Sequence, residues 1–153
     1  MPLVEIAAAG EDDRLWAATL MASSEPWITL GRGFDRCLLY CRDPEYLIFV
    51  ARQDDKPQGA IILQPRGVAG SPYIVSLVVA PEARGAGIGG RLLAFAEALM
   101  SERSAHLFLC VSSFNVRARR FYEHHSYAVI ADLDDYVIAG ASELLMHKRL
   151  TPA

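Results

Sequence analysis

The fold of this chain is decided by one segment, Val78-Val79-Ala80-Pro81-Glu82-Ala83-Arg84-Gly85-Ala86-Gly87-Ile88-Gly89-Gly90-Arg91. An apolar run of β-prone residues, 73–79, ends just before Pro81, and apolar residues then recur at helical spacing from Ile88 to Leu99. This pattern predicts a strand, a glycine-rich turn and the start of a helix. The first turn of a helix leaves backbone N–H groups free at the positive end of the helix dipole, and glycines let an anion approach them closely. The segment therefore predicts a site for a phosphate-bearing ligand.

The spacing of the glycines narrows the choice of ligand. A Walker loop requires Lys and then Ser or Thr after the glycines, whereas Gly89 is followed by Gly90 and Arg91. Residues 85–90 satisfy the dinucleotide pattern G-x-G-x-x-G, but no carboxylate stands about 20 residues further on to hold a ribose. A dinucleotide site and a glycine-rich turn without any ligand remain as weaker alternatives.

A second motif follows the β-prone run 106–111 and reads Asn115-Val116-Arg117-Ala118-Arg119-Arg120-Phe121-Tyr122. On a helix, Asn115, Ala118 and Tyr122 lie on one face. The phenol lies about 10 Å further along the helix axis than the amide side chain. Asn115 also suits a helix N-cap, and Tyr122 also suits a core position. Both structural alternatives stay open beside the functional ones.

The two motifs together resemble those of the GNAT superfamily of acyl-CoA-dependent N-acyltransferases. Arg84, Gly87 and Gly89 fill the pyrophosphate-loop pattern of that family, Arg/Gln-x-x-Gly-x-Gly/Ala, and residues 115–122 match its Asn-x-x-Ala-x-x-Phe-Tyr segment. The resemblance implies an α/β (α+β) fold, in which a mixed, mostly antiparallel twisted sheet carries helices on both faces and its central strands splay apart.

The resemblance also implies a set of site residues and acetyl-CoA as the cosubstrate. The pantetheine arm of acetyl-CoA would bond the backbone of Leu77, Val78 and Val79, and Asn115 would bond its amide region. The pyrophosphate would take backbone N–H bonds from the loop, which comprises Arg84, Gly85, Ala86, Gly87, Ile88, Gly89 and Gly90. Tyr122 would act as the catalytic general acid that protonates the departing CoA thiolate. The side chain of Arg84 suits either the phosphate or a solvated loop charge.

The resemblance assigns no general base. Members of the family often carry a Glu at positions that are here Cys110 and Tyr73. A neutral amine, a water chain or a distant carboxylate could replace it, the candidate carboxylates being Glu82, Asp35 and Asp134.

The expected acceptor is a primary amine of a small molecule or of a peptide or protein. The resemblance places its contacts in segments 23–33 and 132–142. Trp27 suits either a pocket wall or a plug at the end of the core, and the acidic patch, which comprises Asp132, Asp134 and Asp135, suits either a cationic amine or a solvated turn. A non-catalytic CoA-binding sensing or interaction module on the same fold is the alternative function. The absent base favours that module, whereas Tyr122 favours catalysis.

The composition predicts a single domain, residues 1–153. Of its 153 residues, 52% are hydrophobic, which supplies a sizeable core. No apolar run approaches the length of about 20 residues that a membrane span needs, so no membrane partner is expected. The net charge of −3 argues against nucleic acid as a partner.

Cysteine usage predicts a reducing, cytoplasmic location. Three cysteines do not make a disulfide framework. Cys37 and Cys41 are expected to be buried free thiols rather than ligands, so no metal is expected. The sequence leaves the oligomeric state open, with a homodimer as one option.

The order of elements read along the chain is βααβββαβαββ, as in the GNAT fold. The predicted strands are 3–8, 46–52, 59–64, 73–79, 106–111, 127–131 and 143–148. The predicted helices are 12–21, 34–40, 88–101 and 115–124.

Overall fold

The structure, a computed structural model, describes residues 3–151. Its strands are Val4–Ala8 (β1), Leu47–Gln53 (β2), Lys56–Val68 (β3), Ser71–Val79 (β4), His106–Ser112 (β5), Ala128–Leu133 (β6) and Glu143–Arg149 (β7). Its helices are Glu11–Ala22 (α1), Phe34–Arg42 (α2), Ile88–Ser101 (α3) and Val116–His124 (α4). The predicted order of strands and helices is confirmed. Within the described residues, no helix combines the length and the apolar character that crossing a membrane requires.

The strands form one sheet of seven in the order β1-β2-β3-β4-β5-β7-β6. All neighbouring strands are antiparallel except β4 and β5, which are parallel. Helices α1 and α2 cover one face of the sheet, and α3 and α4 cover the other. The predicted mixed, mostly antiparallel sheet with helices on both faces is therefore confirmed.

The side chains of successive residues in the central strands point to opposite faces of the sheet, as the pleat of a strand requires. On β3, Ile62 packs against α1 and α2, whereas Ile61 packs against α3. Cys37 and Cys41 of α2 are fully buried on the first face as free thiols, as predicted. Burial raises the pKa of Cys41 to about 11, so this thiol is uncharged at neutral pH.

Strand β3 is longer than predicted. It spans Lys56–Val68 instead of 59–64 and begins directly after a two-residue turn, Asp54-Asp55. Both turn residues have positive φ, 52° and 61°, as a tight hairpin turn requires. Pro57 and Pro65 lie near the two ends of β3, and proline is disfavoured within sheets. For this reason the sequence pattern predicts a strand that is too short at both ends. The pairing of β3 with β4 is irregular in this part of the strand, with register shifts between Ile62 and Leu63 and between Gln64 and Val68.

Strands β4 and β5 separate soon after they meet. They pair only at Tyr73–Phe108 and Ile74–Leu109, although β4 continues to Val79. Beyond Ile74, β4 has a strand neighbour only on its β3 side. The predicted splay is confirmed, and it opens the sheet in front of the N-terminus of α3.

Candidate active site

A cavity of about 820 Å³ lies at the splay between β4 and β5. Its walls come from β4, the loop before α3, the end of β5, the start of α4 and the segment between α1 and α2. Every predicted site residue except Ala86 lines it. Those residues are Leu77, Val78, Val79, Arg84, Gly85, Gly87, Ile88, Gly89, Gly90, Asn115 and Tyr122.

The glycine loop presents free backbone N–H groups to this cavity. Gly87 is the N-cap of α3 and has φ 84°, and Gly85 has φ 82°, both in the left-handed region that glycine favours. No side chain caps the helix, and its first backbone bond into the loop runs from the Arg91 N–H to the Gly87 carbonyl, at 3.1 Å. The N–H groups of residues 88–90 thus remain available at the positive end of the helix dipole. This geometry suits an anion.

Three arginines, Arg32, Arg84 and Arg117, add positive charge to the cavity wall. Arg84 Nε donates to the Val79 carbonyl at 3.3 Å, which ties the loop to the end of β4 and leaves its two terminal nitrogens free for a ligand. Arg117, at the start of α4, also lines the cavity. Arg117 stands in the second motif but was not predicted as a site residue, because the family pattern specifies no residue type there.

Asn115 serves α4 as its N-cap. Its Oδ1 accepts a hydrogen bond of 3.3 Å from the Ala118 N–H, so the N-cap interpretation is confirmed. The side-chain NH₂ group is not needed for the cap. Asn115 therefore combines a structural role with a donor at the cavity wall.

Tyr122 is buried, with 8% of its surface exposed, yet it lines the cavity. Its ring lies edge-on to Phe121, with centroids 5.2 Å apart, and to Tyr127, with centroids 5.8 Å apart. Burial raises the pKa of the hydroxyl above its usual value. Within residues 3–151 this hydroxyl has no hydrogen-bond partner, so it is a protonated donor facing the cavity rather than a group bonded to a backbone carbonyl.

The opposite wall of the cavity carries Tyr73, Cys110 and Glu143. Burial raises the pKa of Tyr73 and of Cys110, and the two side chains also interact with each other. Glu143 is the first residue of β7, pairs with Ser112 of β5 and is 8% exposed. Sequence reasoning missed Glu143, because only the β5–β7 register brings it to the cavity.

The three carboxylates considered as bases in the sequence lie elsewhere. Glu82, Asp35 and Asp134 do not line the cavity, and Asp134 accepts a hydrogen bond from Ser142 at 3.0 Å. Among the residues that the structure describes, no group of three or more His, Cys, Asp or Glu side chains could hold a metal ion.

Of the two predicted acceptor segments, only residues 23–33 contribute to the cavity wall. Trp27 combines its two proposed roles, because it is buried in the core cluster under α1 and also lines the cavity. Segment 132–142 contributes no lining residue, and Asp135 bonds the Gly140 N–H at 2.7 Å within its own turn. Asp134 and Asp135 of the acidic patch therefore shape a turn, whereas Asp132 lies in β6.

Three solved structures share this architecture. A protein from Desulfovibrio desulfuricans assigned to the GNAT acetyltransferases is 20% identical, with a TM-score of 0.83 over 97% of this chain and 100% of that one. An aminoglycoside 6′-N-acetyltransferase complexed with coenzyme A is 18% identical, with a TM-score of 0.77 over 97% and 98% of the two chains. A ribosomal-protein alanine N-acetyltransferase from Escherichia coli is 21% identical, with a TM-score of 0.77 over 99% and 96%.

Comparison with the curated proteins finds no relative that matches this chain by sequence. The family model described as the acetyltransferase (GNAT) family matches residues 12–127. That match includes α1 from its second residue, the splayed strands, the glycine loop and all of α4, and it ends at Tyr127. This chain therefore belongs to the GNAT family of acetyltransferases.

Proposed function

We propose that this protein transfers the acetyl group of acetyl-CoA to a primary amine of a small molecule or of a peptide or protein. Both substrates would be bound together, and Tyr122 would be the general acid. One observation carries the proposal: a single cavity holds a free helix N-terminus and, in its wall, the partnerless hydroxyl of a largely buried tyrosine. The first feature suits a pyrophosphate, and the second suits a leaving thiolate.

The cavity has the parts that acetyl-CoA requires. The loop from Arg84 to Gly90 would bind the pyrophosphate through N–H groups, with the Arg84 guanidinium as a further donor. Residues 77–79 of β4 have no strand on their β5 side, so their backbone is available to the amide-bearing pantetheine arm. Asn115 would bond that arm from α4. The structural neighbour complexed with coenzyme A has the same fold.

The chemistry proposed is direct attack of the amine on the thioester. A new N–C bond forms as the C–S bond breaks, and a backbone N–H of β4 would stabilise the oxyanion that develops between these events. The thiolate takes the hydroxyl proton of Tyr122, which solvent then replaces, and the amine nitrogen loses one proton. Burial raises the pKa of Cys110, so this thiol is not the reactive thiolate that a covalent acetyl-enzyme would need. That observation favours direct transfer.

We also propose that the chain is one domain that works in the reducing cytoplasm. All seven strands belong to one sheet, and helices from both halves of the sequence cover it. The three cysteines are free, and two of them are buried in the core.

The experiment that tests the proposal is release of free thiol from acetyl-CoA in the presence of an amine panel. The panel holds polyamines, amino acids, peptide N-termini and aminoglycosides, and at least one of these amines should support thiol release. Calorimetry should show binding of CoA and no comparable binding of NAD or ATP. Tighter binding of NAD than of CoA would overturn the proposal, and so would the absence of thiol release with every amine.

A further inference from the structure

The cavity wall contains a largely buried glutamate, Glu143, that no sequence motif marks. Glu143 and Glu25 are the carboxylates in the cavity wall among the described residues. Since an acetyl acceptor is an amine, the proton that it gives up needs a destination. A role for Glu143 in accepting that proton rests on the proposed acetyl transfer.

Glu143 lies on the face of the sheet opposite to α4. In the antiparallel β5–β7 pair, Ser112 stands opposite Glu143 and therefore shares its face. Leu109 and Val111 point to the other face, where they belong to the same core cluster as Tyr122. Because β4 and β5 diverge between the two faces, Tyr122 and Glu143 border one cavity from opposite sides. A thioester in the opening would have a proton donor on one side and a carboxylate on the other.

The Glu143 carboxylate has no partner within residues 3–151. The residue is 8% exposed and its side chain forms neither a hydrogen bond nor an ion pair there, and its carboxylate oxygens remain accessible from the cavity. By contrast, Glu97 of α3, which is half-buried, accepts hydrogen bonds from Tyr127 and from Lys148 of β7. When an acceptor fills the cavity it displaces water from this carboxylate, and removing a carboxylate from water without a cation is unfavourable. An ammonium group bound beside Glu143 would offset that cost.

Two neighbours of Glu143, Tyr73 and Cys110, cannot take a proton at neutral pH. The other titratable and charged groups in this part of the cavity wall are Tyr73 of β4, Cys110 of β5, and Glu25 and Arg32 between α1 and α2. Tyr136, in the segment before β7, lies near Tyr73 but outside the wall. Burial keeps the hydroxyl of Tyr73 and the thiol of Cys110 protonated. An arginine stays protonated as well.

Glu25 is less suited than Glu143 to accept a proton. Its residue is exposed, and its two oxygens accept hydrogen bonds from the Thr29 hydroxyl, at 2.6 Å, and from the Thr29 N–H, at 2.9 Å. These bonds lower the pKa of the Glu25 carboxyl, which weakens it as a base.

We propose that Glu143 is the general base for the acceptor amine. Its carboxylate takes one proton from the nitrogen as the N–C bond forms, and Tyr122 gives one proton to the thiolate as the C–S bond breaks. Glu143 then passes its proton to solvent, and solvent restores the proton of Tyr122. An acceptor that arrives as an ammonium ion releases one further proton to solvent by the same route.

The test compares Glu143→Gln with the wild-type protein, using the panel amine that gives the fastest thiol release. Gln keeps the shape of Glu and removes the base, so we expect kcat to fall about 10²- to 10⁴-fold at neutral pH. CoA affinity should not change. The difference in kcat between Glu143→Gln and the wild-type protein should become smaller as the pH rises toward the pKa of the amine, because solvent then deprotonates the acceptor. Glu123→Gln, on the exposed face of α4 and paired with Arg119, is the matched control and should retain wild-type kcat.

A second variant separates catalysis from folding. Glu143→Ala should be restored in part by added formate, which can occupy the vacated space, whereas a purely structural defect would not respond. An unchanged kcat in Glu143→Gln would overturn the inference and leave acetyl transfer standing. A raised KM with normal kcat would also overturn it, since Glu143 would then only bind the acceptor. A wild-type protein that acetylates no amine would overturn this inference and the proposed function together.

Discussion

The Tyr127 hydroxyl donates a hydrogen bond of 2.8 Å to Glu97 Oε2 and thereby ties the end of α4 to α3. Glu97 also accepts hydrogen bonds from Lys148 Nζ at 3.0 and 3.1 Å, which brings β7 into the same cluster. The Tyr127 N–H donates to the Tyr122 carbonyl at 3.0 Å. The hydrogen-bonded cluster of Glu97, Tyr127 and Lys148, which lies outside the cavity, therefore holds Tyr122, the proposed general acid, in position.

We expect Tyr127→Phe to lower the free energy of unfolding by about 1 to 3 kcal/mol, because a hydrogen bond to a half-buried carboxylate is lost. Urea denaturation measures the change. Tyr136→Phe is the control, since Tyr136 is 68% exposed and its loss should cost little. A loss in Tyr127→Phe no larger than in the control would show that Lys148 alone satisfies Glu97.

Buried tyrosines also predict how stability depends on alkaline pH. Burial raises the pKa of Tyr73, Tyr122 and Tyr127 in the folded protein above the usual value of about 10. Above that pH the unfolded chain loses hydroxyl protons that the folded chain retains, so unfolding becomes more favourable as pH rises. Urea denaturation at increasing pH should show a falling free energy of unfolding above about pH 10. Tyr127→Phe should reduce the slope, and an unchanged slope would contradict the contribution of Tyr127.

Features that depend on local sequence were predicted well. Helix α3 spans Ile88–Ser101 as predicted, because a glycine N-cap and the apolar spacing are both local signals. The glycine loop before α3 and helix α4 were also predicted from local sequence motifs. Strand β3 was predicted too short, because its pairing with β2 and β4 outweighs the low strand preference of Pro57 and Pro65.

Features that depend on register were not predictable. Glu143 reaches the cavity only because β7 pairs with β5 so that Glu143 faces Ser112. A shift of one residue in the register between β5 and β7 would place the side chain of Glu143 on the other face of the sheet. The roles of Asp134 and Asp135 likewise depend on the fold of one turn, which their charge alone does not reveal.

Gly87→Val should weaken CoA binding by about tenfold or more, the equivalent of one lost hydrogen bond to a charged group. Its φ of 84° is unfavourable for valine, and a Cβ there would enter the open space in front of the helix N-terminus. Calorimetry with CoA measures the loss.

Gly70→Val is the matched control for Gly87→Val. Gly70 has the same φ of 84° and the same open surroundings, but it lies in the β3–β4 turn away from the cavity. Equal CoA affinity in the two variants would refute the phosphate assignment. Gly89→Val is less informative, because a Cβ there would lie 3.3 Å from the Phe121 ring and disturb the contact with α4.

Tyr122→Phe should lower kcat about 10²- to 10⁴-fold, the range expected when a general acid is removed. CoA affinity should stay close to the wild-type value, because the ring and its contacts with Phe121 and Tyr127 remain. Since the Tyr122 hydroxyl has no partner within residues 3–151, the free energy of unfolding should change less than in Tyr127→Phe. Steady-state kinetics and urea denaturation measure the two effects.

The comparison of Tyr122→Phe with Tyr127→Phe separates an effect on proton donation from an effect on the stability of the fold. Both variants remove one hydroxyl from neighbouring buried rings, but only that of Tyr122 lies in the cavity wall. A large loss of kcat with little loss of stability assigns proton donation to Tyr122. An unchanged kcat would mean that water protonates the thiolate, and acetyl transfer would then depend on the glycine loop, the backbone of β4 and Glu143 without a protein acid.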